Sequence, residues 1–194
     1  MRCQELMIDT LAKRARELQT SRDPRSKKIE KVRSLISDSK NGIVSVEPLL
    51  LPRNANVEVT GIIAEKSTVF KSNMYPLLYY QCSDGNEYPD IFKDGDGMRQ
   101  NQLVIQLFTL MDLLLRKKNL DLKLSPYDVL ATGPMQGMVQ FIPSKTIAVI
   151  VSEHGTLLDY LRTHYPDEGS VSTSGVKPSV IETFVRSCGM LVEI

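Results

Sequence analysis

Residues 77–103 read LLYYQCSDGNEYPDIFKDGDGMRQNQL. Two apolar runs, 77–82 and one ending at Ile91-Phe92-Lys93, flank Ser83-Asp84-Gly85-Asn86. Asp-Gly tolerates the positive φ that tight turns demand, so this stretch predicts an antiparallel hairpin. A second turn, Asp94-Gly95-Asp96-Gly97, ends the strand pattern. Beyond it Leu103, Val104, Leu107, Phe108, Met111, Leu114 and Leu115 recur at helical spacing, which predicts a long helix over 98–118 with one wide apolar stripe. A hairpin that runs straight into a helix, without the strand–helix alternation of a doubly wound sheet, points to an α+β fold.

The flanks agree with that class. Val57, Val59 and Gly61-Ile62-Ile63 read as a strand, and Thr68-Val69-Phe70 as another. Downstream, 128–132 and 138–142 read as strands around a turn at 133–137. Residues 147–151 form a short apolar run, 156–164 a short helix, 166–178 a mobile loop rich in Ser, Gly and Thr, and 179–188 a last helix; 189–194 leave no room for another element. At the other end, Leu6, Met7, Leu11, Ala15 and Leu18, then Ile29, Val32, Leu35 and Ile36, mark two amphipathic helices broken by Ser21-Arg22-Asp23-Pro24. No internal repeat is visible.

Composition bounds the function classes. A chain of 194 residues, 42% hydrophobic and 24% charged, is enough for one ordinary globular domain or a domain with an appendage, without the composition of a disordered chain, and its formal charge of +1 removes the whole-chain argument for nucleic-acid binding. No apolar run approaches the roughly 18 residues of a membrane span, and the start lacks a signal-peptide core, so a cytoplasmic chain is expected. Cys3, Cys82 and Cys188 are scattered and read as reduced thiols; His154, expected in a loop, and His164 have no neighbouring cysteine, so no metal site is expected. The charge is uneven. Residues 1–40 carry eleven Lys/Arg against six Asp/Glu, net +5, which leaves −4 for 41–194. Because acidic residues are interleaved with the basic ones, the reading is a solvated face of packed helices rather than a patch for membrane or acidic partners.

Familiar phosphate cradles are absent: there is no Gly-x-x-x-x-Gly-Lys-Ser/Thr, no Gly-x-Gly-x-x-Gly, and no Gly-x-Ser-x-Gly nucleophile turn. Asp94-x-Asp96-Gly97 opens like a calcium loop but lacks its later carboxylates. What remains is Lys93, at the end of an apolar strand and before a tight turn and a long helix. Kinase small lobes place a lysine against nucleotide phosphates in that way.

Four ordered motifs carry a resemblance. The run from Tyr88 to Leu103, YPDIFKDGDGMRQNQL, resembles the phosphatidylinositol 3-kinase signature I-F-K-x-G-D-D-x-R-Q-D-x-L. Residues 120–132, LDLKLSPYDVLAT, are similar to the following segment of the class III, vacuolar-sorting type; Phe70-Lys71-Ser72 with Pro76 resembles its phosphate loop, and Gln140-Phe141-Ile142-Pro143-Ser144 its hinge. The resemblance covers about 48–188. It implies an antiparallel-sheet small lobe with a long helix, preceded by a helical hairpin: 1–40 the end of a helical region, 41–142 the small lobe, 143–188 the start of the large lobe and 189–194 a divergent tail.

In that reading the chain binds ATP. Lys93 would contact the phosphates, Ser72 after Phe70 would approach the terminal ones, Pro76 and Ile91 would cover the adenine, Tyr127 would lie deep in the pocket, and Gln140, Phe141 and Ile142 would form the hinge. Two departures stand out. The helix carboxylate that would orient Lys93 is Asn101, and the second Asp of the turn is Gly97; a neutral acceptor in place of a charged one costs on the order of 1 kcal/mol, which Asp96 would partly offset. The family's G-D-R-H-x-x-N and D-F-G segments do not occur, so catalytic residues and ligands for Mg or Mn are not assigned and turnover is not expected. The chain thus reads as a class III phosphatidylinositol 3-kinase truncated after its small lobe. The resemblance further implies a phosphatidylinositol membrane substrate, a protein-kinase-like regulatory subunit, a beclin-type adaptor, and peripheral attachment to endosomal and autophagic membranes; the alternative is a non-catalytic module that docks those partner subunits.

Overall fold

The computed structural model describes residues 2–70, 75–169 and 174–192. These form two compact units, one through Leu107 together with Tyr127–Phe141, the other Phe108–Pro126 with the residues from Ile142 on. The class is α+β, a mixture of helices and an antiparallel sheet.

The first unit is built on the sheet. Its strands are β1 (Leu49–Leu51), β2 (Asn54–Ile62), β3 (Thr68–Val69), β4 (Pro76–Cys82), β5 (Glu87–Asp94), β6 (Val129–Gly133) and β7 (Gln136–Gln140). The order is β1-β2-β4-β5-β7-β6, with β3 also pairing β4, and every pairing is antiparallel. The hairpin expected around Asp84-Gly85 joins β4 to β5, with Leu77 opposite Ile91 and Gln81 opposite Glu87. The next hairpin is tighter than its sequence suggests. Gly133 pairs Gln136, so only Pro134 and Met135 turn the chain and β7 ends at Gln140 instead of Ile142.

Two helices cover one face of this sheet. In α1 (Arg2–Thr20) Met7, Leu11, Ala15 and Leu18 are buried at spacings of three and four; Leu6 lies outside that stripe and is exposed. α2 (Arg25–Ser37) follows Pro24 and buries Lys28, Val32 and Ile36 at a spacing of four. Both helices pack with Leu51, Val59, Ile62, Leu78, Tyr80, Phe92 and Met138 in one core. Fully burying each such aliphatic or aromatic side chain contributes about 1.5–3 kcal/mol, which sets the orientation of the strands below it.

α3 (Met98–Arg116) begins as expected, but its apolar stripe is largely exposed: Leu103, Leu107 and Leu114 are 57%, 51% and 52% accessible. Periodicity marks a face that can be buried, not one that is. In the second unit the apolar run after Lys145 is a helix, α4 (Ile147–His154), started by the Thr146 hydroxyl accepting from the Val149 N–H. His154 therefore ends a helix and does not sit in a loop. α5 (Leu157–His164) has the same kind of start, the Thr156 hydroxyl accepting from the Asp159 N–H. α6 (Pro178–Val192) runs past Cys188, where a stop was expected. A glycine inside a helix costs only about 1 kcal/mol, too little for Gly189 to end it. No helix among the described residues is long and apolar enough to cross a membrane.

Candidate functional site

Strand parity decides what β5 offers. Phe92 is 1% exposed and Asp90 and Asp94 share its inward face, so Ile91 and Lys93 stand on the opposite face of the sheet. Residues directly opposite on neighbouring strands share a face, which puts Leu77 and Val139 beside Ile91 and Gly137 beside Lys93. Gly137 meets a close approach: a Cβ there would lie 2.5 Å from the Leu130 carbonyl oxygen and 2.9 Å from Met98 Cγ.

Lys93 is held by its own turn. Its Nζ lies 3.3 Å from Asp96 Oδ2 and 5.1 Å from the centroid of the Tyr75 ring. A cation over an aromatic face gains about 0.5–1 kcal/mol when exposed and more when partly desolvated. Gly95 adopts φ +85°, a conformation that disfavours side chains, and its N–H and that of Asp96 both donate to the Met135 carbonyl, at 2.7 and 3.2 Å. The Asp96 carbonyl then accepts from the Met98 N–H at 2.9 Å as α3 begins. Burial, with help from Asp96 and Asp94, pushes the Tyr75 hydroxyl above its ordinary value. Of the two lysine-orienting candidates, Asp96 makes the contact; the Asn101 amide nitrogen is directed at Met98 Sδ, 3.9 Å away.

The second cluster is at the end of β7. The Gln140 N–H donates to the Asp128 carbonyl at 2.9 Å, and its side-chain oxygen accepts from the Asp128 N–H at 2.9 Å. Phe141 follows, with its ring 6.4 Å from that of Phe70 and tilted by 43°. The Phe70 N–H donates to the Tyr75 carbonyl at 3.0 Å. Buried Pro76 pairs core residue Val69 and lines a cavity with Leu11, Leu18 and Ile36, so it stands on the inward face and not, as expected, beside Ile91, because strand parity gives that place to Leu77. Tyr127, 38% exposed, immediately precedes Asp128. The structure thus brings together Lys93, Asp96 and Tyr75, and separately Phe70 and Phe141. Ile142 is the first residue of the second unit, and Ser72 lies outside the described residues.

The inward face of β5 holds charges that the sequence reading passed over. Arg53, in the β1–β2 turn, donates from Nε to both Asp90 oxygens at 3.1 and 2.9 Å, from Nη1 to Asp128 at 3.2 Å and from Nη2 to the Tyr88 hydroxyl at 2.7 Å. The Arg53 and Asp90 side chains are each 1% exposed. Burial pushes the Asp90 carboxyl up to about 7, against the pull of Arg53. At the other end of the strand Arg16 Nε reaches both Asp94 oxygens at 3.1 and 3.0 Å, and Gln19 Nε2 donates to the Asp94 carbonyl at 2.6 Å. One sequence signal was available: with Phe92 in the core, the period of two puts Asp90 and Asp94 inside and in need of partners.

Among the described residues no group of three or more His, Cys, Asp and Glu could hold a metal ion. His154 and His164 stack with Tyr160 in the second unit, at centroid distances of 5.1 and 4.2 Å.

Comparison with known proteins adds an independent finding. The family model for phosphatidylinositol 3- and 4-kinase matches residues 87–192, more than half of the chain. The chain is 48% identical over 188 residues to the phosphatidylinositol 3-kinase pik3 of Schizosaccharomyces pombe, a match covering 95% of this chain and 24% of that protein. It is 39% identical to the phosphatidylinositol 3-kinase VPS34 of Saccharomyces cerevisiae, over 94% of this chain and 21% of the relative, and 42% identical to that of Arabidopsis thaliana, over 89% and 21%. The chain therefore spans about a quarter to a fifth of the length of these relatives.

Proposed function

The chain belongs to the phosphatidylinositol 3- and 4-kinase family, and from that premise we propose that it is the ATP-binding small lobe of a class III phosphatidylinositol 3-kinase. The reaction is the ATP-dependent phosphorylation of phosphatidylinositol at its 3-hydroxyl. In domain terms, 1–40 close a helical region, 41–142 form the small lobe and 143–188 begin the large lobe, while the sequence diverges from the family pattern at 189–194, of which 189–192 continue α6.

The observation that carries the reading is the placement of Lys93. It stands on the sheet face away from the core, is held by Asp96 and the Tyr75 ring, and lies opposite Gly137 in the β5–β7 register. A fixed, partly exposed ammonium of this kind supplies charge to nucleotide phosphates without reorganising. Ile91 covers the base, Phe70 and Phe141 close its edge, Tyr127 lines the interior, and Ser72 approaches the terminal phosphates. Because the Gln140 N–H is already used by Asp128, recognition of the adenine edge falls to the backbone that follows it. Mg or Mn accompanies the nucleotide. The 194 residues contain neither G-D-R-H-x-x-N nor D-F-G, so nucleotide binding is assigned to them and phosphoryl transfer is not. A protein-kinase-like regulatory subunit, a beclin-type adaptor and endosomal and autophagic membranes are the expected setting.

Titration calorimetry with ATP tests this on the purified chain and on Lys93→Met. Loss of a charged hydrogen-bonding partner predicts about a tenfold or greater fall in affinity for the variant. Equal binding by the two proteins, or no binding by the unmodified chain, would overturn the reading.

A further inference from the structure

We propose that Arg53 is a positioning residue for the base end of the nucleotide site, setting through Asp128 the place at which β7 delivers Phe141. The inference rests on the nucleotide-site reading above. Arg53 comes from the β1–β2 turn, yet its guanidinium reaches Asp90 on β5 and Asp128 immediately before β6. Asp90 is in register with Gln140 on the neighbouring β7. Gln140 in turn exchanges two hydrogen bonds with the backbone of Asp128. The contacts therefore close a ring, Arg53 to Asp90, across the ladder to Gln140, to Asp128 and back to Arg53. Three strands are fastened at the point where the chain leaves the sheet as Phe141.

A purely structural role does not account for the choice of groups. Buried ion pairs are often replaceable by apolar residues without loss of stability, because desolvation offsets most of the Coulombic gain. What the guanidinium adds is direction: a rigid planar fork whose donors leave in fixed directions and can serve Asp90, Asp128 and Tyr88 together. A lysine ammonium has the charge but not the fork. The Asp128 side chain is 67% exposed, so its pairing adds little to stability, and what it contributes is the position of the backbone that holds Gln140.

The test uses the whole chain with Asp128→Asn, which keeps the side chain's size and leaves the buried Arg53–Asp90 pair intact, and with Arg53→Lys. Three quantities are read: ATP affinity, melting temperature, and hydrogen exchange of the Gln140 amide, whose N–H donates to Asp128. Asp128→Asn is expected to bind ATP about twofold more weakly and to exchange the Gln140 amide about threefold faster, with its melting temperature unchanged. Arg53→Lys should show both changes more strongly. Unchanged Gln140 exchange in both variants sinks the inference, as does a loss of ATP affinity that only follows a fall in melting temperature. Failure of the unmodified chain to bind ATP overturns the nucleotide reading instead, and the Gln140 exchange still decides whether Arg53 sets that strand end.

Discussion

Asp90 is 1% exposed on the inward face of β5, where burial pushes its carboxyl up to about 7 while Arg53 pulls it down. In an unfolded chain an aspartate titrates near about 3.9. Between roughly pH 4 and 7 the folded protein therefore holds more protons than the unfolded one, and the contribution of Asp90 to stability falls as pH rises. It is fully present below about 4 and lost above about 7, an amplitude on the order of a few kcal/mol. Asp90→Asn removes the titration and keeps an acceptor for Arg53. Urea unfolding at pH 5 and pH 8 should show the unmodified chain losing more stability across that interval than the variant; parallel losses would show that Asp90 does not titrate there. At this scale the sequence was informative about Lys93, because an ordered motif surrounds it. It was silent about Arg53, whose partner lies 37 positions away and leaves no local pattern.

Among the elements, the lysine strand depends on a helix far from it in sequence. The turn 94–97 presents Asp96 to Lys93, and α1 holds that turn from outside through Arg16 on the Asp94 carboxylate and Gln19 on the Asp94 carbonyl. Gln19→Ala leaves that carbonyl without its donor, a loss of about 1 kcal/mol by general magnitudes. The expected outcome is ATP binding weakened by a few fold and faster hydrogen exchange at Gly95 and Asp96, measured at constant melting temperature. Unchanged exchange at both amides would detach α1 from the turn. The strands and hairpins were legible because their turn residues and alternation agree with one another. The apolar run that forms α4 was not read as a helix, since five apolar residues have no decisive period and the deciding feature is the Thr146 cap before them. α3 was legible as a helix, but its exposed stripe was not, since spacing names a face without saying what covers it.

For the molecule as a whole, the charge asymmetry resolves into internal structure. Residues 1–40 carry a net +5, yet Arg14 pairs Glu17, Arg16 pairs Asp94, Arg25 donates to the Val69 carbonyl, Arg33 to that of Ser67, and Lys28 is buried. The helices are thus bound to the sheet by part of the charge that a membrane-surface reading would need free. That places the nucleotide candidates Phe70, Ile91, Lys93, Tyr127, Gln140 and Phe141 in one compact unit, and α4 and α5 in the other. A ligand stabilises only what must be folded to bind it, by about 2.7 kcal/mol at a concentration of 100 times its Kd. Hydrogen exchange with saturating ATP should therefore slow amides of β4, β5 and β7 and leave those of α5 at their unliganded rates. Equal slowing in α5 and the sheet would show that the two units open as one, and no slowing in β5 would remove Lys93 from the nucleotide.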